Sequence, residues 1–121
     1  MDWELRTDRP IYTQLLEELK LRIIMGQYKP ASKVPSVREL ATEAAVNPNT
    51  MQKALSELES EGLMYSQRTA GRFITEDVVL IESMKKELVI RHIKEFFNNM
   101  IALGYEKNEI ASMITQEARK E

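Results

Sequence analysis

Ser36-Val37-Arg38-Glu39-Leu40-Ala41-Thr42-Glu43-Ala44-Ala45-Val46-Asn47-Pro48-Asn49-Thr50-Met51-Gln52-Lys53-Ala54-Leu55 decides the fold, because it contains two helix starts with only a short break between them. Ser36 and Glu39 form a Ser-x-x-Glu capping box, in which each side chain satisfies an orphan backbone N–H of the first turn. Val37, Leu40, Ala41 and Ala44 then make one apolar face, and the helix ends near Ala45. Asn47-Pro48 opens the next helix: Asn is a strong N-cap, and Pro fits the first helical position, where its missing N–H costs nothing. Met51, Ala54, Leu55 and Leu58 lie at i, i+3, i+4 and i+7 and face a core. Asn49, Gln52, Lys53 and Ser56 repeat that spacing on the opposite side, a polar face that no core requires. Gly62 ends this helix after Glu61.

Upstream, Pro10 opens a helix from Ile11 to about Met25, with Tyr12, Leu15, Leu16, Leu19 and Ile23 at helical spacing and Gly26 at its end. Gln27–Pro35 is too polar and Pro-rich for regular structure. Downstream, the strand-like runs Leu63–Gln67 and Arg72–Thr75 flank Arg68-Thr69-Ala70-Gly71, a hairpin with a short Gly-containing tip. Two short helices, a tight turn and a hairpin spell helix-turn-helix plus wing. The remainder reads as a helix from about Val78 to Leu103, closed by Gly104, and another from about Glu106 to Arg119. Val89, Ile93, Phe96, Met100 and Leu103 form a short heptad seam. The expected architecture is mainly α with a small β-hairpin: a winged helix-turn-helix domain over 1–76 and a two-helix C-terminal dimerisation tail over 77–121.

Composition narrows the function. With 121 residues, 43% hydrophobic and 30% charged, the chain has the make-up of an ordinary globular domain rather than a disordered one. The net charge of −2 argues against a globally basic nucleic-acid wrapper, so any DNA face must be local. The absence of cysteine removes disulfides, thiolate metal sites and cysteine nucleophiles, and the single histidine, His92, leaves no multi-histidine site or histidine triad within one chain. No activated nucleophile, metal cluster or phosphate-binding glycine loop is present, so no enzymatic activity, metal or cofactor is expected. No apolar run approaches the roughly 18 residues that span a membrane. Met1-Asp2-Trp3-Glu4 is acidic and polar, unlike a signal peptide. The expected location is the cytoplasm.

The polar face of the second helix has the chemistry of a DNA reader. The Asn49 and Gln52 amides can bond bidentately to adenine edges in the major groove, and Lys53 can reach a phosphate or a guanine. The helix start at Asn47–Asn49 is expected to offer free N–H groups to a phosphate. Arg38 is placed to clamp the backbone, and Arg68 and Arg72 flank a hairpin tip small enough for a minor groove. Lys29, Lys33, Arg38 and Lys53 outnumber Glu39 and Glu43 in that region, whereas Glu57, Glu59 and Glu61 sit at the far end of the helix, away from the expected DNA side. So modest an excess predicts salt-sensitive affinity that needs two subunits to be tight.

Pro10-Ile11-Tyr12-x-Gln14, Gly26-x-Tyr28-x-Pro30, Lys33-Val34-Pro35-Ser36-Val37-Arg38-Glu39-Leu40-Ala41, Asn49-Thr50-Met51-x-Lys53-Ala54-Leu55, Glu61-Gly62-Leu63 and Gly71-Arg72-Phe73-Ile74 closely resemble the winged-helix domain of GntR-family bacterial transcription regulators. The short helical tail looks like that of the YtrA-type subfamily, whose members dimerise through two C-terminal helices. The resemblance implies DNA contacts by Ser36, Arg38, Asn49, Thr50, Gln52, Lys53 and Gly71, and a regulator often associated with transporter operons. Two positions depart from the pattern. Gln52 stands where many members carry Arg, and the tip Arg68-Thr69-Ala70-Gly71-Arg72 replaces the usual Gln-Gly-x-Gly-Thr.

The tail argues for a dimer on its own. A segment this small seldom sustains a core, and Leu88, Val89 and Ile90 stand consecutively, so its long helix is apolar on more than one side. Val89, Ile93, Phe96, Phe97, Met100 and Leu103 are the expected dimer core. That surface either folds back on the winged-helix domain or pairs with a second copy; symmetric pairing is the commoner solution and presents two recognition helices to a two-fold operator. Trp3 is expected to pack against the first helix or a partner subunit, and His92 to be solvated or at an interface rather than a ligand. The leading reading is therefore a homodimeric, sequence-specific repressor of double-stranded DNA. An unknown small-molecule effector, where one exists, acts by changing the half-site spacing. The alternative is a winged-helix protein–protein adaptor, for which Lys53 and Arg72 would be dispensable.

Overall fold

The computed structural model describes residues 3–120; the first two residues of the acidic start, Met1 and Asp2, lie outside them. The elements run α1 (Ile11–Ile24), α2 (Val37–Ala44), α3 (Pro48–Ser60), β1 (Met64–Gln67), β2 (Gly71–Ile74), α4 (Val78–Ala102) and α5 (Lys107–Ala118). The chain divides into two compact units, one up to Ser83 and one from Met84, so the division falls inside α4.

In the first unit, α1 and α2 both pack on α3, and β1 follows α3 against the same core. Leu15, Leu19, Leu40, Met51, Leu55, Leu58 and Ile74 are fully buried. At about 1.5–3 kcal/mol for each large apolar side chain buried, this cluster dominates the unit's stability. The expected core positions of α3 (Met51, Ala54, Leu55 and Leu58) are all buried, as are Leu40, Ala41 and Ala44 of α2. Tyr12, Leu16 and Val37 are only half-buried.

The helix ends follow the local chemistry. The capping box at Ser36 is complete: Glu39 N–H donates to Ser36 Oγ at 3.1 Å, and Ser36 N–H to Glu39 Oε1 at 3.2 Å. Ala45 ends α2 in the left-handed conformation, φ +57°, and turns the chain towards α3. Asn47 Oδ1 caps α3 through Asn49 N–H at 2.8 Å.

β1 and β2 pair antiparallel from Met64↔Ile74 to Gln67↔Gly71, leaving Arg68-Thr69-Ala70 at the tip. The stretch expected to be irregular is in part ordered against this hairpin. Ile74 N–H donates to Ser32 O and Val34 N–H to Arg72 O, each at 2.9 Å, and Lys33 bridges Phe73. Ser32–Val34 thus runs beside β2 as a short third neighbour. Pairing across some forty residues leaves no periodic trace in so short a segment.

Arg22 is 1% exposed on the core side of α1. Its guanidinium lies 4.0 Å from the Trp3 ring centroid, donates to Tyr28 Oη at 3.0 Å, and faces Glu18 and Glu43 at 3.6 and 3.5 Å. Trp3 Nε1 donates to Glu43 Oε1 at 3.1 Å. Trp3 therefore packs on the first helix and tethers the N-terminal arm to α2 as well. A buried cation is tolerable only with such partners.

In the second unit, Gly104, at φ +103°, separates α4 from α5, and Ile110 of α5 is fully buried. None of the α4 residues is buried.

Candidate nucleic-acid interface

Asn49, Gln52, Lys53 and Ser56 are exposed together on the outer face of α3, opposite the buried Met51–Leu58 face. Their side chains are steadied locally. Gln52 Nε2 donates to Ser56 Oγ at 3.2 Å, and Lys53 Nζ stands 4.8 Å above the Tyr12 ring of α1. Thr50 is half-buried beside Val46 and Ile11. The α3 start offers fewer free N–H groups than expected of it. Pro48 has none, Asn49 N–H is taken by Asn47 Oδ1, and Thr50 and Met51 N–H both donate to Asn47 O.

At α2, Arg38 is exposed in the first turn and forms no ion pair among the described residues. Ser36 is exposed but engaged in its capping box, leaving its hydroxyl hydrogen as the free donor. Facing it, the wing closes an open groove of about 780 Å³ lined by Lys33, Ser36, Glu39, Arg68, Gly71 and Arg72. Sequence-distant Ser36, Arg68, Gly71 and Arg72 are thereby brought together.

Arg68 is exposed at the wing tip. Arg72 is not: its side chain is 18% exposed, and its Nε donates to Glu59 Oε1 at 3.0 Å. Ser66 Oγ donates to the same oxygen at 2.8 Å. The Ser66 hydroxyl first, and the Arg72 guanidinium second, hold the Glu59 carboxyl below the usual carboxylate range. The acidic end of α3 is therefore not remote from the basic wing, as its sequence position suggested. Register brings Glu59 against the wing base, where it neutralises one of the two wing arginines. No sequence rule pairs residues 59 and 72; only the hairpin register does.

The seam residues of the tail lie open. Val89, Ile93, Phe96 and Leu103 are exposed, Phe97 and Met100 half-buried. Phe96 and Phe97 meet edge to face with centroids 6.2 Å apart. His92 is exposed, 4.0 Å from Glu95. Among the described residues, no cluster of three metal-binding side chains occurs and no helix is long and apolar enough to cross a membrane.

The model of the bacterial regulatory proteins of the gntR family matches residues 11–74. The transcriptional repressor YtrA of Bacillus subtilis is 35% identical over 113 residues, covering 92% of this chain and 86% of that protein. A GntR family transcriptional regulator from Listeria monocytogenes superposes with a TM-score of 0.84 at 34% identity, covering 93% of this chain and 98% of that one. The DNA-binding domain of AraR, solved in complex with its operator ORE1, superposes with a TM-score of 0.53 at 32% identity, covering 62% of this chain and 94% of that one.

Proposed function

Since the chain belongs to the GntR family of bacterial regulatory proteins and is a DNA-binding transcription regulator of that kind, we propose that it acts in the cytoplasm as a homodimeric repressor of a two-fold operator. The observation that carries this reading is the exposed Asn49, Gln52, Lys53 face of α3, the element that follows the Arg38 helix and precedes the wing along the chain. Asn49, Thr50 and Gln52 read base edges in the major groove. Lys53, Ser36 and Arg38 hold phosphates, and the wing tip, with Arg68 and Gly71, touches the neighbouring groove. Arg72 serves the same surface from the wing base, where Glu59 seats it. Domains 1–76 and 77–121 divide the labour between DNA and dimer.

The dimer reading is supported by the open Val89, Ile93, Phe96, Leu103 row, continued by half-buried Phe97 and Met100. Rows of large apolar side chains of this extent mark association surfaces, and a second copy supplies an identical, self-complementary row. An effector, where one exists, acts by altering the pairing of the tails. Control of a transporter operon is expected by resemblance alone.

A mobility-shift titration against DNA from upstream of the protein's own gene, at two salt concentrations, tests this reading. A salt-dependent shift with two subunits per site, lost in a Gln52→Ala plus Lys53→Ala variant, is expected. A folded dimer that shifts no DNA there or in a genome-wide selection would favour the adaptor alternative.

A further inference from the structure

The groove between α2 and the wing holds more cations than its internal pairs consume. Arg72 is tied to Glu59, and the Glu39 carboxylate is held by the Ser36 N–H. Lys33 and Arg68 remain, and Lys33 forms no ion pair among the described residues.

Lys33 is unusually well placed for an exposed lysine. Its backbone lies in the Ser32–Val34 segment, pinned to β2 on both sides by the Ile74–Ser32 and Val34–Arg72 hydrogen bonds. Its side chain crosses Gly71: a Cβ at that position would stand 3.1 Å from Lys33 Cε and 3.9 Å from Nζ. Gly71 itself is at φ +107°, a conformation that side chains rarely adopt. The glycine thus does two things. It closes the hairpin tip, and it leaves a shelf along which the lysine stem lies. A stem already laid on a rigid shelf has less rotamer freedom to lose on binding than a free surface lysine.

Resting on the DNA-binding reading above, the geometry points to Lys33 as a phosphate-binding residue of the interface, held in place by Gly71. The ammonium is a compact point charge with no base preference. It meets a phosphodiester of the strand that enters the groove between Ser36 and the wing tip. Gly71 then contributes to DNA binding chiefly by seating Lys33.

The full-length protein is titrated across a range of salt concentrations against two duplexes, one from upstream of its own gene and one of random sequence. Lys33→Met keeps the stem and removes the charge. The salt slope is expected to become shallower by about 0.9 for each Lys33 engaged, or about 1.8 for a two-fold complex, alike on both duplexes. Lys33→Arg restores the slope. Gly71→Ala, checked for unchanged circular dichroism, gives a similar loss that is not additive with Lys33→Met. An unchanged slope in Lys33→Met, and in a second variant Lys33→Gln, while Arg38→Ala weakens binding, overturns the role of Lys33 and leaves the DNA-binding reading intact. Wild-type protein that binds neither duplex overturns both.

Discussion

Arg72 Nε, on the second wing strand, donates to the Glu59 carboxylate near the end of α3 at 3.0 Å. Ser66 closes the same oxygen from the first strand. One carboxylate therefore joins both strands of the wing to α3, beside the buried Leu63, Met64 and Ile74 packing that also holds the hairpin there.

Because these partners lower the folded-state pKa of Glu59 from its ordinary value of 4.5, the unfolded chain binds the more protons between the two values. The stabilisation is complete above about pH 5 and is lost as pH falls through the lowered folded value. Urea unfolding across this range is expected to show wild type losing more stability than Glu59→Gln, with the two converging at the acid end. Parallel pH profiles would show that the link contributes nothing.

Ala45 sits at φ +57° in the turn between α2 and α3. An L-residue with a Cβ costs roughly 1–2 kcal/mol there, partly offset by the greater unfolded-state freedom of glycine. Ala45→Gly is expected to raise stability by up to about 1 kcal/mol in chemical denaturation. A destabilisation would mean that the turn is held by something other than its backbone geometry.

Ile93 is 49% exposed in the middle of the tail seam. Ile93→Asp puts a charge where two copies are expected to meet, and burying it unpaired is prohibitive. Sedimentation analysis is expected to show dimer converted to monomer, with DNA affinity falling by at least tenfold through loss of the second half-site. A dimer that survives this change and Phe96→Asp would place the association surface elsewhere.

Much of this was legible from local chemistry. Pro10, the Ser36–Glu39 box, Asn47-Pro48 and Gly62 each act within a turn of their own position, so they fixed the helix ends without knowledge of the rest. The i, i+3, i+4, i+7 spacing of α3 separated its core face from its exposed polar face for the same reason. What escaped was non-local. No local pattern marks Arg22 for burial; Trp3 and Tyr28, folded onto it, supply the cover. Lys33 counted only as charge until the Ser32–Val34 segment was aligned with β2. Arg72 read as a free wing cation until the hairpin register faced it to Glu59. The expected phosphate donors at the α3 start are reduced by local chemistry: the Asn47 cap takes the Asn49 amide, and Pro48 has none.

The most direct test of the account is selection of binding sites from a random pool of duplex DNA by the full-length protein, repeated with Asn49→Ala plus Gln52→Ala. The account predicts that wild type enriches a two-fold site with half-sites about one helical turn apart or a multiple of that. The variant is predicted to keep salt-dependent binding but lose the base preference at defined positions within each half. Enrichment of no site, or of the same site by both proteins, would contradict the assignment of α3 as the element that reads DNA.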